Sequence, residues 1–181
     1  MDESLTERLD DLEWWLRVLG RPVVDLLVPG LPPDATSRHG PVPARVAEWF
    51  GWHDGVIRVA GQDHQDIEII PGYAPLALAE AVGLRPEYDD DPALGDAWLP
   101  LLASEAGDLF AASWSGSDEP RVVAIRAGEP TRVEFPDLGA MVALFVDCFR
   151  RAAFAVGADG RLTTDPALYD QLYDELTSPR G

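Results

Sequence analysis

The stretch 98–114 constrains the fold most, because it sets two apolar runs on either side of one short polar turn. Residues 99–103 (LPLLA) form the first run, and residues 108–114 (DLFAASW) form the second. Apolar runs of this length, joined by a short turn that ends in glycine, predict a β-hairpin. We therefore expect two antiparallel strands here, with Trp98 packed into the core.

A second hairpin follows the first. Residues 121–126 alternate around apolar side chains, residues 128–130 (GEP) form a turn, and residues 131–135 return as the partner strand. Because consecutive strands are usually neighbours in a sheet, the two hairpins together predict a four-stranded antiparallel meander.

Helical signals stand at both ends of the chain. Ser4 and Glu7 have the spacing of a capping box, and Gly20 marks the end of that first helix. The apolar side chains between them repeat at steps of three and four, namely Leu5, Leu9, Leu12, Leu16 and Leu19. Asp137 has the position of an N-cap before a long amphipathic helix, and Asp165 opens a final helix.

The remaining segments give shorter elements. We expect short strands at residues 23–28, 56–60 and 67–70. Two helices are expected, one over residues 43–50 and one that begins at Pro75 and stops at Gly83. Surface loops are expected at residues 34–40 and 85–96, and Gly157 and Asp159-Gly160 are expected to break the helix that Asp137 caps.

Helices that cluster towards both ends of a mainly antiparallel sheet are typical of the α+β class. We expect a twisted sheet of about six strands, flanked by N-terminal and C-terminal helices. Residues 1–42 form an N-terminal helix with an irregular lead-in, and residues 43–181 form the main domain of one globular unit. A chain of 181 residues buries enough apolar surface to fold without a disulfide, and its one cysteine, Cys148, is expected in the core.

Carboxylates dominate the charge. The chain has 32 Asp and Glu residues against 14 arginines and no lysine, which gives a net charge of −18. Such a surface repels nucleic acids and anionic membranes and attracts basic proteins. The acidic start lacks an apolar signal core, and no apolar run approaches the roughly 18 residues that a membrane span needs. We therefore expect a cytoplasmic protein with a basic partner.

No motif indicates catalysis or a cofactor. The histidines His39, His53 and His64 lack the spacing of a metal site, and a lysine-free chain cannot complete a phosphate-binding P-loop. The acidic run at residues 89–91 lacks the alternating ligands of an EF-hand. Two interpretations of that run stay open: a solvated loop, or a charged surface for a basic partner. We expect no catalytic residue, no metal and no cofactor.

Four segments, in this order, resemble the SMI1/KNR4 (SUKH) superfamily. Residues 43–55 are similar to its early helix and the turn after it, with Asp54 where the family has Asn. Residues 69–76 are similar to a strand that leads into a helix, and residues 98–108 to the W-L-P…G-D hairpin. Residues 135–149 resemble the late helix.

This resemblance implies a compact α+β domain without catalysis. It also implies an immunity protein, because bacterial members commonly bind and silence a toxin domain of the nuclease or deaminase type. We expect the partner-binding residues to be acids near the hairpin and two aromatics: Glu87, Asp89, Asp90, Asp91, Asp96, Glu105, Asp108, Trp14 and Trp52. Two alternatives stay open: a regulatory or scaffold protein, as among fungal members, and a small-molecule-binding protein or enzyme with a pocket on the sheet.

Overall fold

A computed structural model describes residues 4–38, 40–88, 90–116 and 119–178. The helices of this part are α1 (Leu5–Val18), α2 (Pro33–Ser37), α3 (Ala44–Trp52), α4 (Leu78–Leu84), α5 (Leu138–Arg150) and α6 (Pro166–Thr177). Its strands are β1 (Leu27–Pro29), β2 (His53–Val56), β3 (Tyr73–Pro75), β4 (Ala97–Ser104), β5 (Leu109–Trp114), β6 (Arg121–Ile125), β7 (Arg132–Phe135), β8 (Phe154–Val156) and β9 (Leu162–Thr164).

The main sheet confirms the α+β class. It has five antiparallel strands in the order β3-β4-β5-β6-β7, so the predicted meander is present and β3 extends it. The other strands form two small antiparallel sheets, β1–β2 and β8–β9. The main sheet thus has one strand fewer than the expected six, because the additional strands pair apart from it.

The terminal helices form where the sequence indicates. Ser4 and Glu7 make the capping box of α1, and the leucines Leu5, Leu9, Leu12 and Leu16 are fully buried along one face. Asp137 caps α5, accepting a hydrogen bond from the backbone N–H of Ala140 at 2.7 Å. Helix α6 docks on strand β7 through Tyr173, whose hydroxyl donates to the carbonyl of Glu134 at 2.7 Å.

The core is continuous from α1 through α5 to the sheet. Phe110 of the sheet and Phe145 of α5 both contact Phe135, with ring centroids 6.1 Å apart in each pair. Trp98 is 4% exposed and Cys148 is fully buried, which confirms both as core residues. Among the described residues, no helix combines the length and the apolar character that crossing a membrane requires.

The predictions between α1 and α3 were partly wrong. Residues 23–28 do not form one strand, since Pro22–Asp25 is a 3-10 helix and the strand begins only at Leu27. Pro22 favours the helical turn because its ring fixes φ near the helical value. The predicted loop 34–40 contains α2, which starts at a proline and buries Thr36.

The predictions between α3 and β4 were also partly wrong. Helix α3 runs past Gly51 to Trp52, and β2 lies at its end rather than at residues 56–60. The predicted strand at residues 67–70 is absent, since Ile67 ends the 3-10 helix His64–Ile67 and Ile70 makes only an isolated bridge to Tyr73. Pro75 ends β3 and does not begin a helix. Short apolar runs fit a strand and a helix equally well, and here pairing with β4 decides.

The predicted loop at residues 85–96 carries regular structure. Residues 85–96 contain two 3-10 helices, Arg85–Tyr88 and Pro92–Leu94. This segment covers one face of the sheet, because the Tyr88 ring lies 5.9 Å from that of Trp98 and the carbonyl of Leu94 accepts from Ser113 at 2.8 Å. Residues 157–160, expected to break the late helix, form the turn of the β8–β9 hairpin, and α5 already ends at Arg150.

Arg21 connects distant parts of the chain. Its side chain is 5% exposed and donates to the carbonyls of Gln65 and Gly160, both at 2.6 Å. These bonds hold the end of α1, the 3-10 helix His64–Ile67 and the β8–β9 hairpin together. Burial lowers the pKa of Arg21, while the negative charges of Glu68 and Asp66 oppose that shift.

Candidate functional site

The carboxylates of the predicted acidic loop differ in their surroundings: some are exposed, and one accepts hydrogen bonds from neighbouring residues. Glu87, Asp90 and Asp96 are exposed, as a docking surface would require. Asp91 is instead half-buried, where it accepts from the backbone N–H of Ala93 at 2.9 Å and from the hydroxyl of Thr131. Asp89 lies outside the described residues. Asp91 therefore holds the segment in place, and the exposed acids lie around it.

The β4–β5 turn presents the next predicted pair. Glu105 is exposed, whereas Asp108 is half-buried and accepts from the backbone N–H of Ala127 at 3.2 Å. Ala127 and Thr131 both belong to the β6–β7 turn, so Asp108 and Asp91 contact the same turn. The structure thus brings Asp91 and Asp108 to one end of the sheet, whereas Asp96, directly before β4, lies at the opposite end of that strand from Glu105.

A groove between α1 and α3 lies apart from these acids and contains Trp52. We call it the α1–α3 groove, and its volume is about 640 Å³. Three polar side chains of α1 and one side chain of β2 form one wall and one end: Thr6, Asp10, Glu13 and His53. The rest of the lining comes from α3 and the segment before it: Leu31, Pro33, Ala44, Ala47, Glu48, Gly51 and Trp52.

Helical periodicity explains why this groove stays open. Thr6, Asp10 and Glu13 follow at steps of four and three, so they form a polar strip beside the buried leucines of α1. Ala44, Ala47 and Gly51 repeat at the same steps on α3. These side chains are too small to fill the space between the two helices, which leaves an apolar floor under a carboxylate rim.

His53 joins the end of the groove to the small β1–β2 sheet. Its Nδ1 lies 3.0 Å from the carbonyl of Val28, and its Nε2 lies 3.0 Å from Oε2 of Glu13. Both partners are hydrogen-bond acceptors, and each faces one of the two ring nitrogens. His53 therefore acts as a bridge between α1 and β1, and both of its ring nitrogens are engaged.

Glu13 has an altered pKa at this bridge. Burial raises the pKa of the Glu13 carboxyl, but the hydrogen bond and charge of His53, together with those of Arg17, outweigh it and lower the pKa overall. Glu13 is consequently held ionised in the groove wall.

The two predicted aromatics differ in exposure. Trp14 is 54% exposed on α1, and Val18, one turn further on, is 56% exposed, so together they form an apolar ridge. Trp52 is half-buried, with its ring 4.6 Å from that of His53 and 5.9 Å from that of Trp49. Its indole Nε1–H is buried and has no acceptor among the residues that the structure describes.

The histidines and the cysteine do not gather into a metal site in the described ranges. No group of three or more His, Cys, Asp and Glu side chains lies together there as a potential metal site. His39 is outside the described residues, and His64 lies in a 3-10 helix with its Nε2 buried. Burial raises the pKa of the Cys148 thiol to about 12, so this cysteine is a poor nucleophile.

A search of family models and a search of curated proteins each found no match to this chain.

Among the residues that line the groove, Trp52 was predicted from the sequence to bind a partner, and the others were not. Thr6, Asp10 and Glu13 follow at spacings of four and three residues, a pattern that indicates a polar strip beside the leucines of α1. Its partner, the small-residue face of α3, is about forty residues away in the chain, and a single sequence does not show that the two faces meet.

Proposed function

We propose that this protein is a non-catalytic module that binds a basic protein partner. The observation that carries the proposal is the α1–α3 groove, whose apolar floor and carboxylate rim lie beside the exposed ridge of Trp14 and Val18. Aromatic side chains next to charged groups are enriched in the energetically important parts of protein interfaces.

The charge of the whole chain supports a basic partner. With a net charge of −18, the protein attracts positively charged proteins over distances longer than a direct contact. Enzymes that act on nucleic acids commonly carry the opposite charge, because they bind a phosphate backbone. An acidic protein that blocks such an enzyme gains both association rate and specificity.

The resemblance to the SMI1/KNR4 superfamily supports the more specific proposal of an immunity protein. Its bacterial members commonly neutralise toxin domains of the nuclease or deaminase type. We infer that the partner here is a toxin domain of that kind, and that binding blocks its active site or a surface next to it.

Calorimetric titration against a basic toxin-like domain encoded beside this gene tests the proposal. We expect tight binding that weakens as salt rises, together with loss of the domain's activity at a one-to-one ratio. No binding at either low or high salt contradicts the immunity proposal for that pair. Binding without loss of activity contradicts neutralisation and favours a scaffold role.

A further inference from the structure

We propose that the α1–α3 groove takes an arginine side chain of the partner, with its guanidinium on Asp10 and its aliphatic stem along the apolar floor. This inference rests on the proposed function, because it identifies which chemical group of a basic partner enters the groove. It assigns Asp10 as the specificity-determining carboxylate.

The pairing of the rim carboxylates singles out Asp10. Glu13 pairs with Arg17, and Glu48 pairs with Arg45 at 3.1 Å, in both cases with an arginine that does not line the groove. Asp10 is exposed and makes no ion pair with any residue that the structure describes. An incoming cation therefore meets an unpaired carboxylate at Asp10, with no internal ion pair to break.

The floor of the groove favours arginine among the cationic side chains. Ala44, Ala47 and Gly51 leave a narrow apolar path, along which an unbranched stem can bury its methylenes. Trp52 also lines the groove, and a guanidinium stacks on an indole more readily than the strongly hydrated ammonium of lysine does. The guanidinium also offers a planar fork of donors to a carboxylate.

The groove is large enough for an arginine side chain of the partner and for the partner residues next to it. At about 640 Å³ it lies within the roughly 300–1,000 Å³ of sites that enclose small ligands. The ridge of Trp14 and Val18 extends the apolar surface next to it. A partner segment with an arginine beside an apolar residue would cover both features.

The first experiment uses a minimal probe, N-acetyl-arginine amide, followed by NMR shifts of the Trp52 indole and of the α1 and α3 amides. We expect saturable shifts confined to the groove, weaker shifts with N-acetyl-lysine amide, and none with the neutral N-acetyl-citrulline amide. Asp10→Asn should weaken arginine binding by about three- to tenfold, whereas Asp11→Asn, which removes the same charge outside the groove, should leave it unchanged.

Three outcomes overturn the inference: no shifts in the groove, equal binding of the citrulline probe, or equal effects of Asp10→Asn and Asp11→Asn. The groove-filling variant Ala47→Leu provides a second test, since it should abolish the shifts while every carboxylate stays in place. Titration of the toxin domain against Asp10→Asn separates this inference from the proposed function. Tight binding to both wild type and Asp10→Asn overturns the arginine anchor alone, and binding to neither overturns the immunity proposal.

Discussion

Single residues of this protein have roles that their exposure alone does not reveal, and Glu13 is the clearest example. It lies on α1, yet its carboxylate is hydrogen-bonded to His53 of β2. His53 is in turn hydrogen-bonded to the carbonyl of Val28 in β1. The same carboxylate also pairs with Arg17, one turn along the helix. Glu13 therefore links α1 to the small β1–β2 sheet and fixes one wall of the groove.

The lowered pKa of Glu13 makes this link dependent on pH. Its pKa lies below the ordinary value of 4.5, so the ionised form stabilises the fold above that pH and the stabilisation is lost as pH falls through the lower, folded-state value. We expect Glu13→Gln to lower the free energy of unfolding at neutral pH by about 1 kcal/mol. Urea titrations should show the difference shrinking below about pH 4. A matched change at the exposed Glu87, Glu87→Gln, should have little effect at either pH.

Cys148 gives a second prediction at this scale. It is fully buried in α5, and burial raises the pKa of its thiol to about 12. We expect no reaction with a thiol reagent at mildly alkaline pH in the native protein, and rapid reaction once urea unfolds it. The variant Val18→Cys places a thiol at an exposed position of α1 and should react at once. Fast labelling of native Cys148 would instead mean that α5 opens locally.

At the scale of elements, the junction between β2 and α4 depends on two adjacent residues. Asp54 accepts from the backbone N–H of Leu78 at 2.7 Å, so a residue of β2 caps α4. Gly55 has φ +73°, and a Cβ there would lie 2.5 Å from the backbone nitrogen of Ala77. The backbones of β2 and α4 can approach this closely only because residue 55 lacks a side chain.

Alanine substitution at Gly55 should therefore cost more than its strained φ alone. We expect Gly55→Ala to lower the free energy of unfolding by about 3 kcal/mol, through left-handed strain together with displacement of α4. Gly107 has φ +91° but open space around it, so Gly107→Ala isolates the cost of the backbone conformation, about 1 kcal/mol. If chemical denaturation gives the same loss of unfolding free energy for Gly55→Ala and Gly107→Ala, then α4 shifts without a free-energy cost.

The elements that were predicted correctly are those whose signals are local. The capping box of Ser4 and Glu7 spans four residues, and the leucine repeat after it defines one face of α1 without reference to the rest of the chain. The two hairpins likewise have their turns and both strands within residues 97–135. In each case the pattern that forms the element lies inside the element.

The elements that were missed depend on distant partners. Strand β3 exists because Tyr73 pairs with Ser104, and β1 exists because Leu27 pairs with Val56. The groove follows the same rule, since periodicity places Asp10 on a polar strip but does not show that α3 lies opposite it. Asp91 is a further case, because its bond to Thr131 was not visible in an acidic run.

At the scale of the whole molecule, one core supports two separate acidic features. The buried residues connect α1, α5 and the sheet, so the groove and the acidic end of the sheet are parts of one packed unit. Glu87, Asp90, Asp96 and Glu105 stay exposed in the segment 85–96 and the β4–β5 turn, whereas the groove combines its carboxylates with an apolar floor. This difference predicts different contributions to binding, because charges on the open surface act over distance and direct contacts in the groove act after docking.

The kinetics of association with a basic toxin domain should separate the two features. We expect the association rate constant to fall by roughly tenfold between about 50 mM and about 500 mM salt, since the Debye length shortens over that range. Neutralising the exposed acids should lower the association rate constant at low salt and change dissociation little; these acids are Glu87, Asp90, Asp96 and Glu105. Asp10→Asn should instead raise the dissociation rate constant, because it removes a contact made inside the groove.

Stopped-flow measurements at several salt concentrations distinguish these effects, and the Asp11→Asn variant controls for the loss of one charge from α1. An association rate that does not depend on salt would contradict electrostatic steering, despite the net charge of −18. A faster dissociation in the variant with the four neutralised acids than in Asp10→Asn would place the partner on those acids rather than on the groove. Whether a variant changes the association or the dissociation rate constant thus locates the binding surface without a structure of the complex.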